Sequence, residues 1–181
     1  SSHTLANIWK VMDSVFVKAE DAREEKLIVG EYLVLDALIG NTDRNHENWG
    51  VLRWWVNDSR RGLVAPSYDH ASSLGRELLD ERRNMLLTEN RVGDYAKRGR
   101  GAIYWSENER YGPSPLELVR RAADIYPELF YPASSKLAKI DEEVFSQIVN
   151  RIPSDWMTSS ARKFAVTLMR YNYEKLREIF R

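Results

Sequence analysis

Apolar residues recur at helical spacing over most of this chain and alternate like strand residues in one short stretch. Leu5, Ile8, Val11, Met12, Val15 and Phe16 predict a first helix that Thr4 can cap, with charged residues between them. Ala19 to Lys26 reads as a charged turn or as a continuation of helix. Leu27 to Ile39 is so apolar that the helix it predicts should be buried nearly all round, with Gly40 as its stop. Asn41 to Asn48 has no apolar residue and reads as a loop. Trp49 to Val56 and Gly62 to Ala65 read as the arms of a hairpin around Asn57-Asp58-Ser59, and Pro66 ends the second arm. Alternation sends Trp54 and Trp55 to opposite faces, so one is expected in the core and one partly exposed.

Arg76 to Thr88 carries a short helical pattern, and Glu89 to Tyr111 reads as irregular, with the basic cluster Lys97, Arg98 and Arg100. Ser114-Pro115-Leu116-Glu117 is a helix start, with Ser as cap, Pro first and Glu third. That helix ends before Pro127. Asp141 heads another through Val149. Ser154, or Thr158 to Ser160, opens the last, with Phe164, Ala165, Leu168, Tyr171 and Leu176 facing inward. The fold class expected is mainly α with a small β-hairpin (α+β).

A second polar loop, Ser67 to Gly75, follows the hairpin as Asn41 to Asn48 precedes it. The outer ends of an antiparallel pair lie side by side, so Asn48 and Asp69 are expected to be neighbours. Asp43, Asn48 and Asp69 suit phosphoryl transfer: a loop Asp to orient a hydroxyl, and an Asn and a second Asp to give Mg²⁺ hard oxygen ligands. The spacing D-x-x-x-x-N is that of the protein-kinase catalytic loop, and Asp69 stands where the D-F-G aspartate would. Asp36, inside the apolar helix, is read as a buried hydrogen-bond partner for the loop, and Arg44 as its anchor. His46 and His70 are read as structural or substrate-edge residues, since two His without a third ligand are weak grounds for zinc.

The segments L-I-G-N-T-D-R-N-H-E-N-W-G-V-L and L-V-A-P-S-Y-D-H-A-S-S-L-G resemble the HipA family of bacterial serine/threonine kinases, with its N-x-D-R-H-x-x-N loop and A-P-x-Y-D element. The resemblance covers Leu35 to Gly75 closely, and Pro66 and Tyr68 match its framework. Asn45 stands where the family has His, and His46 follows one place later. The resemblance implies a kinase C-lobe, a helical bundle around the catalytic-loop hairpin, over residues 1–181. Asp43 would be catalytic, with Asn48 and Asp69 binding ATP through Mg²⁺. It implies a cytoplasmic serine/threonine kinase of toxin–antitoxin type, with a protein substrate such as a translation factor and a DNA-binding antitoxin as partner. Nothing upstream of Thr4 resembles a Gly-rich phosphate loop or a lysine strand, so the N-lobe is expected outside these residues.

Composition narrows this little. The chain has 181 residues, no Cys, and 27 basic against 27 acidic residues. Disulfides and thiolate metal sites are excluded. Neutral charge favours neither a nucleic-acid nor a membrane partner, and no apolar run is long enough to span a bilayer. A lipid or small-molecule kinase and a non-catalytic kinase-like interaction module are the rival readings. The first would want a basic membrane-facing surface, and the second has no need of clustered carboxylates.

Overall fold

The computed structural model describes residues 2–181. It is mainly helical with one two-stranded antiparallel hairpin: α1 (Leu5–Val15), α2 (Ala19–Ile39), β1 (Val51–Val56), β2 (Ser59–Val64), α3 (Asp80–Thr88), α4 (Val92–Arg98), α5 (Pro115–Ile125), α6 (Pro127–Leu137), α7 (Glu143–Asn150) and α8 (Ser159–Ile179). No described helix is long and apolar enough to cross a membrane.

Helix α2 is the axis, packed by α1, α5, α6 and α8. The charged stretch from Ala19 is its first turns, not a separate turn. It is less enclosed than its composition predicts. Val29, Leu33, Val34 and Ala37 are buried, but Leu35 is exposed and Leu27, Ile28 and Tyr32 are only partly covered. Its wall on one side is α6, approached so closely at Gly30 that a Cβ there would land on the Leu129 carbonyl oxygen. Gly40 ends α2 at φ 67°, a left-handed conformation natural to glycine, and the Asn41 N–H folds back onto the Asp36 carbonyl at 2.8 Å.

The caps form where the polar residues promise them. Thr4, Ser114 and Thr158 each accept the N–H three residues on, from Asn7, Glu117 and Ala161. Asp141 accepts the Glu143 N–H at the head of α7. One core joins α1, α2, α5, α6, α7 and α8 through Met12, Leu33, Val119, Phe130, Val149 and Leu176. A smaller cluster, Leu86, Val92, Phe164 and Leu168, fastens α3 and α4 to α8.

Three expectations are corrected. Residues 127–140, to which the sequence analysis assigns no element, contain α6, with Pro132 inside it. The stretch read as irregular from Glu89 contains α4. Both Trp54 and Trp55 face solvent, at 43% and 71% exposure. The hairpin pairs Val56 with Ser59 around a two-residue turn, Asn57-Asp58, both with positive φ. It meets the helices through β2, where Val64 is buried and its N–H reaches Glu25 Oε2 at 2.6 Å. The Trp-bearing strand is left outermost.

Candidate active site

The site grows from a buried ion pair at the end of α2. Arg44 donates from Nε to Asp36 Oδ2 and from Nη2 to Asp36 Oδ1, both at 2.7 Å, with the side chains 6% and 4% exposed. This two-pronged geometry suits the planar guanidinium. A buried carboxylate must have its lone pairs filled, and Asn41 Nδ2 adds a third bond to Oδ1 at 2.8 Å. Asp36 and Arg44 thus play the roles expected of them, a buried partner and a loop anchor.

The rest of the guanidinium ties the two loops together. Nη1 donates to the Asn48 carbonyl at 2.6 Å and to the Tyr68 carbonyl at 3.3 Å, and Nη2 reaches Ser67 Oγ at 3.0 Å. The hairpin's outer ends therefore meet at one nitrogen, as an antiparallel pair requires. Two further bonds reinforce the seam: Ala65 N–H to Gly50 O at 2.8 Å, and Tyr68 Oη to Glu47 O at 2.8 Å. His70 belongs to this lock. Because Arg44 can only donate, Nδ1 accepts from Nη2 at 3.3 Å, and the Nε2–H then faces Ser67 Oγ at 2.9 Å. His46 is exposed on the rim.

Within this frame Asp43 and Asn48 touch. Asn48 is buried, and its Nδ2 donates to the Asp43 main-chain carbonyl at 2.6 Å. That fixes the carboxamide and leaves Oδ1 without a partner among the described residues. Asn45, where the resemblance would place His, donates from Nδ2 to Asp43 Oδ1 at 3.0 Å and so aims the carboxylate. Asn41 Oδ1 accepts the Asp43 N–H at 3.1 Å. Asp69 follows Tyr68 at φ 51°, exposed, its carboxylate held by no described residue. The fold thus gathers the three expected residues on adjacent loops. Asn41 and Ser67 are the contributors that sequence reasoning passed over. The N-x-D-R pattern held the signal for Asn41, and nothing local held one for Ser67.

The donor set suits magnesium carried on phosphates. Among the described residues no group of three His, Asp or Glu side chains is placed to hold an ion by itself. What is offered is one carboxamide oxygen and neighbouring carboxylates. Mg²⁺ takes such a partial set, filling its octahedron with phosphate oxygens and water.

No family model and no curated protein matches the chain. Among solved structures it is similar to a Helicobacter pylori proinflammatory kinase, CtkA, at TM-score 0.77 and 17% identity, over 98% of this chain and 59% of that one. The chain thus spans about 59% of that kinase's length. At this identity the likeness speaks for the fold, which is a kinase-like α+β fold.

Proposed function

We propose that this chain carries the metal- and hydroxyl-handling side of an ATP- and Mg²⁺-dependent protein serine/threonine kinase of HipA type. The observation that carries the reading is the fixed Asn48 carboxamide. Its nitrogen is spent on the Asp43 carbonyl, so Oδ1 is left without a partner among the described residues, next to the Asp43 carboxylate that Asn45 steadies and on the loop adjacent to the unheld Asp69 carboxylate. Asp43, steadied by Asn45, would orient the acceptor hydroxyl and take its proton as that oxygen bonds to the γ-phosphorus and the bond from phosphorus to the bridging oxygen breaks, with ADP leaving. Asn48 Oδ1 and the Asp69 carboxylate would hold the metal. Bound Mg²⁺–ATP supplies the phosphoryl group and the charge neutralisation that the transfer needs. Arg44 touches no reacting atom; it holds the two loops in register.

The HipA resemblance supports the finer reading: a cytoplasmic enzyme paired with a DNA-binding antitoxin, acting on a protein of translation, its nucleotide covered by a lobe outside these residues. The test is calorimetry of ATP binding with and without Mg²⁺. Asp69→Asn should lose the Mg²⁺-dependent part of the affinity, at least tenfold. Asp43→Asn should keep nucleotide binding and lose phosphoryl transfer. Equal Mg²⁺–ATP affinity in wild type and Asp69→Asn would sink the metal assignment.

A further inference from the structure

Behind the catalytic loop lies a cleft of about 440 Å³ between the end of α2, α4, the head of α5 and α8. Its lining includes Thr42, the residue before Asp43, and Ser72, three residues after Asp69. The Thr42 N–H approaches the Ser72 carbonyl at 3.4 Å, so both loops meet in its wall.

Two independent features mark it. Arg76, Arg98 and Arg100 line it, all exposed, and none is ion-paired with a carboxylate among the described residues. Arg100 lies on the Tyr111 ring at 3.6 Å, which orients the guanidinium while leaving its N–H edge open. The one carboxylate in the lining, Glu77, accepts the Tyr95 hydroxyl at 2.6 Å. In the same lining stands Asn172, 1% exposed. Its Nδ2 donates to the Leu38 carbonyl at 3.1 Å, which fixes the amide, and its Oδ1 has no partner. A buried acceptor left unpaired is costly and calls for a donor.

The geometry points to this cleft as the site that takes an acidic side chain of the protein substrate, within about three residues of the hydroxyl presented to Asp43. The inference rests on the kinase reading for what Asp43 does. An extended peptide advances about 3.3–3.6 Å per residue, so a hydroxyl at Asp43 brings its immediate neighbours to Thr42 and the cleft that Thr42 lines. The chemistry favours a peptide over a bare phosphate group. A fully ionised phosphate satisfies arginines but brings no donor for the Asn172 acceptor, whereas an acidic peptide brings a carboxylate for the arginines and backbone N–H groups for Oδ1.

Fluorescence polarisation with two labelled peptides tests this. Each has a central Ser, flanked on both sides by three Glu in one and three Gln in the other. The Glu peptide should bind at least tenfold more tightly at low salt, with the difference shrinking as salt is raised. The triple variant Arg76→Gln, Arg98→Gln, Arg100→Gln should erase the difference, with an unchanged circular-dichroism melt showing that it folds. Arg53→Gln with Arg61→Gln, on the hairpin, should leave it intact. Equal binding of both peptides to the wild type overturns the inference, as does undiminished preference in the triple variant. So does loss of Mg²⁺–ATP binding in that variant, which would make the cleft a nucleotide site. Asp43→Asn should bind the Glu peptide normally. In the full-length protein, peptide discrimination without any phosphoryl transfer would keep the cleft and sink the kinase reading, and transfer without discrimination would do the reverse.

Discussion

Replacing Arg44 by Ala is the sharpest perturbation of this molecule. It removes both prongs of a pair whose side chains are 6% and 4% exposed, and four further bonds to Asn48 O, Tyr68 O, Ser67 Oγ and His70 Nδ1. Asp36 is left buried with only Asn41 to answer it. Breaking a buried pair from one side costs about 3–5 kcal/mol, a large share of the roughly 5–15 kcal/mol that holds a typical domain together. With a urea slope of about 2–3 kcal/mol per molar, near the top of the usual range for small proteins, the midpoint should fall by about 1–2.5 M. Asp36→Ala should cost a comparable amount. The double variant should cost clearly less than the two combined, because coupled neighbours show interaction energies of about 0.5–3 kcal/mol. Equilibrium urea unfolding followed by circular dichroism measures all three. Single variants each costing below about 1 kcal/mol, as exposed ion pairs do, would refute the buried-anchor argument, as would additivity within about 0.5 kcal/mol.

Other perturbations probe different parts. Gly30→Ala, which in an open helix would stabilise by about 1 kcal/mol, should instead lower the melting temperature, because the new methyl meets the Leu129 carbonyl; a raised melting temperature would show that α2 and α6 are not so close. Trp55→Thr should change stability by less than about 0.5 kcal/mol, as an exposed substitution does, and a loss of several kcal/mol in urea unfolding would mean the indole is packed. His3 tests pH: its Nδ1–H donates to the Ala102 carbonyl at 2.9 Å and its Nε2 accepts the Trp49 indole N–H at 3.2 Å, so a second proton would break the Trp49 bond. Burial, the largest cause, holds its pKa below the ordinary 6.5, the His46 ring adds to the depression, and the Ala102 bond partly opposes it. The unfolded chain then takes up the proton first, so the tether's stabilisation is present above pH 6.5 and is lost as pH falls below that value. The stability difference between wild type and His3→Ala should shrink from pH 7.5 to pH 5, and a constant difference in thermal melts would contradict this.

The mainly helical class with one hairpin was legible in the sequence, and so was the meeting of the two polar loops. Asp43, Asn48, Asp69, Asp36 and Arg44 could be read because polar residues stranded among apolar ones need partners, and the hairpin's topology dictates where those partners lie. Helix α6 escaped because Pro127 and Pro132 look like breakers. Yet a proline at the first position costs no hydrogen bond, and tertiary packing of Leu129, Phe130 and Ala133 supports the second. Helix α4 escaped because its Gly93 and basic end suit a loop, and it is recruited by tertiary packing: Val92 joins Leu86, Phe164 and Leu168, and Tyr95 meets the Phe164 ring. The Trp54 and Trp55 expectation failed because alternation predicts two faces but not whether anything lies against either. The arginine cleft was invisible as a unit, since Arg76, Arg98 and Asn172 come together only through α4 and α8 packing.

The Arg44 junction also limits how this chain can change in length. One guanidinium spans carbonyls at Asn48 and Tyr68, so a residue inserted between Asp43 and Asn48 would pull a main-chain acceptor off the shared nitrogen and loosen the opposite loop too. The two loops can be lengthened or shortened only in concert. Relatives should therefore differ in length at segments outside that clasp, such as the exposed hairpin tip, while the distance along the chain from Asp36 to Asn48 stays the same.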